Sequence, residues 1–126
     1  MMVAMTWVLV MLAGAAGTAA RYGIGLAVGP REFPWATLMI NITGSFLIGL
    51  VLTFGALGHV SPRITTALAV GFLGAFTTYS TFSWELFTLG HSKQALAATL
   101  YVAASLLVGW LAAAGGYRLG QAIAPH

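Results

Sequence analysis

Cysteine is absent from this sequence, and charged side chains are scarce. Without cysteine there can be no disulfide, thiolate metal site or thiol nucleophile. Charged residues make up 6% of the 126 residues, whereas a soluble domain carries about 25%. Five basic and two acidic residues are also too few for a nucleic-acid-binding surface, which needs a basic patch or stripe. Because 60% of the residues are hydrophobic, most of the surface must face lipid.

Four apolar segments are each long enough to cross a bilayer. A spanning helix needs about 20 mostly apolar residues, and four stretches free of charged residues reach that length. Turn-forming residues such as Pro30, Pro62 and Gly90 lie between them. The sequence therefore predicts an all-α integral membrane protein in a lipid bilayer. It would be a single domain over residues 1–126, with spans of roughly 3–27, 35–57, 62–90 and 94–120.

The basic residues barely distinguish the two sides of the membrane. Lys and Arg in short loops usually determine which side is cytoplasmic. With four spans, Arg63 and Arg118 lie on one side. Arg31 and Lys93 lie on the other, with Arg21 as well if it lies beyond the first span. Two interpretations stay open: other features fix one orientation, or copies insert both ways and pair as an antiparallel homodimer.

Neutral polar residues form stripes inside the predicted spans. Four-residue spacing, which places side chains on one helical face, occurs in Thr37–Asn41–Ser45 and in Tyr101–Ser105–Gly109. Hydroxyls and amides can replace the hydration shell of an anion, whereas a cation path more often carries carboxylates. Two alternatives stay open. An isolated hydroxyl can bond to the carbonyl four residues earlier, and Asn41 can hold two helices together instead of lining a pore.

The middle of the third span has weak helical propensity. Gly74, Thr77 and Thr78 are all poor helix formers. A break there would free backbone carbonyls and amides, which is tolerated at membrane depth only inside protein or along a cavity. The alternative is a continuous helix. Tyr79 and Phe82 share a face just after the predicted break, where they would either pack or turn their positive ring edges toward an anion.

Three stretches of the chain together resemble the Fluc (CrcB) family of fluoride channels. They are GAAGTAARY at residues 14–22, TLMINITGSF at 37–46 and GFLGAFTTYSTFS at 71–83. Their order and spacing match the family, and the third stretch is the most specific. The resemblance implies passive, fluoride-selective export through two parallel pores of a dual-topology antiparallel homodimer. It also implies a location in a bacterial cell membrane and no enzymatic activity.

The resemblance implies roles for particular residues as well. The predicted fluoride path consists of Asn41, the ring edges of Tyr79 and Phe82, and the hydroxyls of Ser80, Thr81, Tyr101 and Ser105. The backbone carbonyls of Gly74 and Thr77 would hold a structural sodium ion between the two subunits. Arg21 and Glu85 also fall at motif positions. Tyr79 departs from the family, which usually has Phe at that position, so its hydroxyl either adds a donor to the path or narrows it.

A proton-coupled exporter of the small multidrug type is the main alternative function. Such an antiporter needs a membrane carboxylate to exchange protons for a cationic drug, and the first span has none. A non-transporting scaffold subunit would explain small residues at helix contacts but not the stripes of hydroxyls and amides. The sequence shows no pattern of a nucleophile with its base or of metal ligands, so we do not expect an enzyme.

Overall fold

The computed structural model describes the backbone of residues 2–124 and the side chains of residues 3–124. Regular secondary structure in that range is entirely helical. Helix α1 covers Met2–Val28 and α2 covers Trp35–Ala56. The next segment consists of α3 (Pro62–Thr66), the π-helical π1 (Ala67–Leu73), α4 (Gly74–Phe76) and α5 (Tyr79–His91). The last consists of α6 (Ala95–Ala103), the π-helical π2 (Ala104–Val108) and α7 (Gly109–Ile123). The predicted domain also includes residues 1, 125 and 126, which lie outside the described range.

Three helices of the described chain are long and apolar enough to cross a membrane. They are Val3–Val28, Trp35–Ala56 and Ala95–Ile123, with mean hydropathies of 1.8, 1.9 and 1.9. Only 6%, 22% and 11% of their most apolar stretches are buried within the chain. Their apolar side chains therefore face outward, as a bilayer environment requires.

The short connections use residues suited to helix ends and turns. Gly29 and Gly58 follow α1 and α2 with φ of 67° and 79°, a left-handed conformation that costs glycine little. Ser61 caps α3 because its Oγ accepts the N–H of Ile64 at 3.5 Å. Pro62 occupies the first turn of α3, where a missing N–H leaves no helical bond unmade. Sequence-local chemistry thus sets the ends of these helices.

Glycines bring the helices together in two close pairs. A Cβ on Gly17 would overlap the carbonyl of Phe72, so the backbones of α1 and π1 are in direct contact. A Cβ on Gly49 would overlap the carbonyl of Ala113, which places α2 directly against α7. Such backbone approach is typical of membrane helices, because lipid supplies no hydrophobic force between them and packing must do so.

Two clusters of buried side chains flank the middle of the segment 62–91. One contains Leu38, Phe82, Leu89 and Tyr101, and the other contains Ile40, Leu73 and Phe76. The first cluster includes Phe82 and Leu89 from the later half of that segment, and the second includes Leu73 and Phe76 from the earlier half. Because α2 contributes to both clusters, it positions the two halves of the segment relative to each other.

Candidate functional site

Two threonines interrupt the helical segment 62–91. Thr77 has ψ 159°, and Thr78 has φ −151° and ψ 119°, so both are extended. Thr78 caps α5, because its Oγ1 accepts the N–H of Thr81 at 3.3 Å. At the end of the preceding half, Thr77 Oγ1 donates to the carbonyl of Leu73 at 2.8 Å. The bend predicted for this segment is therefore confirmed, and side chains of the segment itself stabilise it.

Asn41 of α2 bridges this interruption. Its Nδ2 donates to the carbonyl of Thr78 at 3.0 Å, and its Oδ1 accepts the N–H of Thr78 at 2.8 Å. One amide side chain thus satisfies both backbone groups of an extended residue, which membrane lipid could not do. Asn41 therefore holds two helical segments together, which is one of the two roles that the sequence left open for it. A primary amide has two N–H donors, so one hydrogen on Nδ2 remains after this pair.

The interruption also leaves two carbonyls without the donors that a continuous helix would give them. The carbonyl of Gly74 would normally accept the N–H of Thr78, which instead donates to Asn41. The carbonyl of Thr77 would normally accept the N–H of Thr81, which instead donates to Thr78 Oγ1. These are the two carbonyls predicted to hold sodium. Neutral carbonyl oxygens suit a hard cation, so the residues present fit that group.

A groove of about 390 Å³ runs along one side of the interruption, and we call it the Asn41 groove. Its lining includes Asn41, Ser45, Gly74, Thr77, Thr78, Tyr79, Phe82 and Ser105. Six of the predicted site residues are therefore brought together here: Asn41, Gly74, Thr77, Tyr79, Phe82 and Ser105. The lining that the structure describes carries amide, hydroxyl and carbonyl groups but no charged side chain.

Ser105 lines the Asn41 groove and carries an unpaired hydroxyl. Its Oγ is buried and has no hydrogen-bond partner within the described chain. Ser105 lies in π2, and π-helical turns inside α-helices often occur at functional sites. Leaving a buried polar group unpaired costs about 1–3 kcal/mol, so this hydroxyl is suited to a partner that the chain itself does not provide.

The two predicted path aromatics have different surroundings. Their ring centroids lie 6.0 Å apart, with an angle of 43° between the ring planes. Phe82 is 8% exposed and packs on the ring of Tyr101 at a centroid distance of 5.0 Å. Tyr79 is 81% exposed. Phe82 is thus fixed by the core of this chain, whereas Tyr79 is held by little beyond its own helix.

Glu85 lies between two hydroxyl donors from other helices. Thr37 Oγ1 donates to its Oε1 at 2.9 Å, and the Tyr101 hydroxyl donates to its Oε2 at 2.7 Å. Tyr101 is completely buried, with an exposed fraction of 0%. The two hydroxyls bond to the two oxygens of the Glu85 side chain and so fix it in one position. The three side chains join α2, α5 and α6.

A second groove, of about 470 Å³, also borders the interruption, and we call it the Arg21 groove. Its lining includes Thr18, Arg21, Thr37, Thr78, Thr81 and Glu85. The structure therefore brings Arg21, Thr81 and Glu85 together, separately from the residues of the Asn41 groove. Thr78 lines both grooves and separates them.

Two of the predicted residues line neither groove. Ser80 is exposed, and its Oγ lies 3.5 Å from Thr78 Oγ1. Tyr101 is buried behind Phe82 and Glu85. The pairing of Thr37 with Glu85 was not predicted from the sequence. The sequence feature that could have indicated it is the position of Thr37 one turn before Asn41, on the same face of α2 and toward the same interrupted segment.

Comparison with known proteins identifies the family. The family model described as "CrcB-like protein, Camphor Resistance (CrcB)" matches residues 8–117. The chain is 45% identical over 120 residues to a fluoride-specific ion channel FluC of Thermus thermophilus, covering 93% of this chain and 94% of that protein. It is 40% identical over 122 residues to FluC 2 of Clostridium acetobutylicum, covering 94% and 97%. It is 42% identical over 123 residues to FluC of Acidobacterium capsulatum, covering 94% and 98%.

The matched range contains the whole candidate site. All predicted site residues, from Arg21 to Ser105, lie within residues 8–117. The relatives above are matched over nearly their full length, so the likeness is not confined to one motif. The sequence resemblance is thereby confirmed, and the chain belongs to the CrcB family.

Proposed function

We propose that this chain is a subunit of a fluoride-specific ion channel that lets fluoride leave the cytoplasm passively. The observation that carries the proposal is the Asn41 groove, whose described lining has amide and hydroxyl donors and no charged side chain. Relatives that are 40–45% identical to this chain are named fluoride-specific ion channels. Membership of a channel family and the neutral lining both favour ion conduction over enzymatic chemistry.

Neutral donors suit an anion that must both enter and leave. Amide N–H and hydroxyl groups can replace part of its hydration shell without the tight binding that a buried cation would cause. An inside-negative membrane potential favours the outward movement of one negative charge by about 2.3 kcal/mol per 100 mV. Hydrogen fluoride crosses the membrane unaided and dissociates in the less acidic cytoplasm, so a passive path is sufficient for export.

The fluoride path consists of both the buried groups and the exposed ones. Ser105 and the remaining Nδ2 hydrogen of Asn41 are donors to fluoride, and the ring edges of Phe82 and Tyr79 face it. The hydroxyls of Ser80 and Thr81 extend the polar track. Support comes from the unpaired hydroxyl of Ser105 and from the shared groove of Asn41, Tyr79 and Phe82.

Three further residues act behind or beside the path. Tyr101 holds Glu85 through its hydroxyl and supports Phe82 through its ring. Arg21 supplies positive charge to the Arg21 groove, which it shares with Glu85 and Thr81.

The segment 62–91 forms the third of the four spans of the channel. Its two halves together contain enough residues to cross a bilayer. Asn41 bonds to the backbone of the interruption, and backbone groups at membrane depth need such partners. Four spans place Arg63 and Arg118 on one side, and Arg31 and Lys93 on the other. This balance supports a dual-topology antiparallel homodimer in the cell membrane.

Sodium is the ion that would occupy the site at the interruption. The carbonyls of Gly74 and Thr77 would hold it, since their helical donors are diverted to other acceptors. The ion would supply positive charge that stabilises two otherwise unpaired carbonyls. Its role is structural, and it is not itself transported.

The test is fluoride efflux from liposomes that contain the purified protein, with chloride as the competing anion and sodium on both sides. The informative variant is Ser105→Ala, because its hydroxyl has no partner within the described chain. Its removal should slow fluoride efflux at least about tenfold while leaving thermal stability unchanged or slightly higher.

Thr99→Val is the matched control for that variant. Thr99 also lies in the last helical segment, but its hydroxyl donates to the carbonyl of Ala95 at 2.9 Å and lines neither groove. It should conduct as the parent does. No fluoride efflux above empty liposomes from folded protein would contradict the proposed function. Equal efflux from the Ser105→Ala variant and the parent would remove Ser105 from the path.

A further inference from the structure

A second kind of site lies where α1 and α3 begin, and it shares no described lining residue with either groove. Two cavities, of about 540 and 330 Å³, share Val3 and Thr6 in their linings and so adjoin each other at the protein surface. Ser61, Pro62 and Arg63 line its outer end. We call this feature the Arg63 groove.

The walls of the Arg63 groove become apolar with distance from the arginine. Beyond Thr6 they consist mainly of Trp7, Val10 and Val70. Trp7 and Val70 are 65% and 64% exposed, so the groove is open on its outer side. The stretch from Val3 to Val10 advances about 10 Å along α1, which is the depth of a lipid headgroup with the first carbons of an acyl chain.

Among the described residues that line this groove, Arg63 carries the only side-chain charge. Neither cavity has a carboxylate in that described lining, and the two acidic residues of the sequence, Glu32 and Glu85, line other pockets. A guanidinium at a membrane boundary with no such counterion beside it is well placed to bind a phosphate, which it can contact with two N–H groups at once. Trp7, further along the groove, has the amphipathic ring that favours the interface.

We propose that the Arg63 groove binds one anionic phospholipid from the surrounding bilayer. The phosphate pairs with the Arg63 guanidinium, and an acyl chain lies along Trp7, Val10 and Val70. Charge complementarity selects an anionic lipid over a neutral one. Basic pockets between membrane helices bind such headgroups by the same interaction. The proposal requires that the segment 62–91 lies in the membrane, but it does not require fluoride conduction.

The absence of cysteine allows a direct test. A single Val70→Cys variant, in detergent micelles, is labelled with a maleimide while phosphatidylglycerol or phosphatidylcholine is titrated in. Phosphatidylglycerol should slow the labelling at a concentration about fivefold lower than phosphatidylcholine does, because one arginine near a lipid surface contributes about a factor of five. Adding Arg63→Gln should abolish that difference.

Arg31→Gln is the matched control, since it removes the same charge from a different connection of the chain. The lipid preference should survive it. If the Arg31→Gln and Arg63→Gln variants lose the preference for phosphatidylglycerol equally, overall charge attracts the lipid, and the proposed site is overturned. The same labelling rate with both lipids would also overturn it. A thiol at position 70 that labels only after unfolding would show that a second copy covers the groove, which contradicts a lipid occupant.

Discussion

Replacing Asn41 by alanine tests the central contact of the structure. The amide of Asn41 makes two hydrogen bonds to the backbone of Thr78, at 3.0 and 2.8 Å. No other side chain of the described chain bonds to both of these backbone groups. Removing it therefore leaves the interruption without its bridge to α2. The Thr78 N–H can then return to the carbonyl of Gly74, which re-forms one bond of a continuous helix.

The expected loss of stability follows from counting these bonds. A hydrogen bond within a protein contributes about 0.5–1.5 kcal/mol net, so losing the pair costs about 1–3 kcal/mol. Re-forming the bond from Thr78 to Gly74 recovers about half of that amount. We therefore expect the Asn41→Ala variant to lose about 0.5–1.5 kcal/mol of unfolding free energy. It should also lose fluoride efflux, since it lacks the free Nδ2 hydrogen.

The assay combines thermal unfolding in micelles with efflux from liposomes. Ser45→Ala is the stability control, because Ser45 lies one turn further along α2, lines the same groove and makes no hydrogen bond within the described chain. It should unfold at the parent temperature. If the Asn41→Ala variant is as stable as the Ser45→Ala variant, the bridge contributes nothing and the reasoning fails.

Two further pairs of variants test the packing around the site. Tyr101→Phe removes a buried donor to Glu85 and should lower the unfolding free energy by about 1–3 kcal/mol. Its control, Tyr79→Phe, lies at an 81% exposed position and should leave stability unchanged. Equal midpoints of the two variants in thermal unfolding would contradict this. Gly49→Ala places a Cβ against the backbone of α7 and should destabilise by about 1–3 kcal/mol, whereas Gly23→Ala has nothing within 4 Å and should be neutral or stabilising in the same experiment.

Local sequence chemistry was enough to predict the helical class and the bend. The long apolar stretches predict membrane helices by length alone, and three of them are helices of that kind in the structure. Gly74, Thr77 and Thr78 are weak helix formers placed in the middle of an apolar segment. The bend lies at those residues because no strong helical propensity opposes it there.

The contacts that join separate helices could not be predicted in this way. Thr37 and Glu85 are 48 residues apart in sequence, and Glu85 and Tyr101 are 16 apart. Nothing in their local patterns indicates that one carboxylate accepts both hydroxyls. For the same reason the spacing of Asn41 left two roles open, because a stripe shows which helical face a side chain is on but not what that face meets.

The interruption and the candidate site are consequences of the same rearranged hydrogen bonds. When Asn41 and Thr78 take the N–H groups of Thr78 and Thr81, the helix ends, α5 gains its cap, and two carbonyls become available. A charged residue could supply such contacts too, but at membrane depth its cost would exceed that of a neutral amide or hydroxyl. At the interruption, this chain accordingly uses the amide of Asn41 and the hydroxyls of Thr77 and Thr78. Those neutral groups are also the ones that can hold a small anion and release it again.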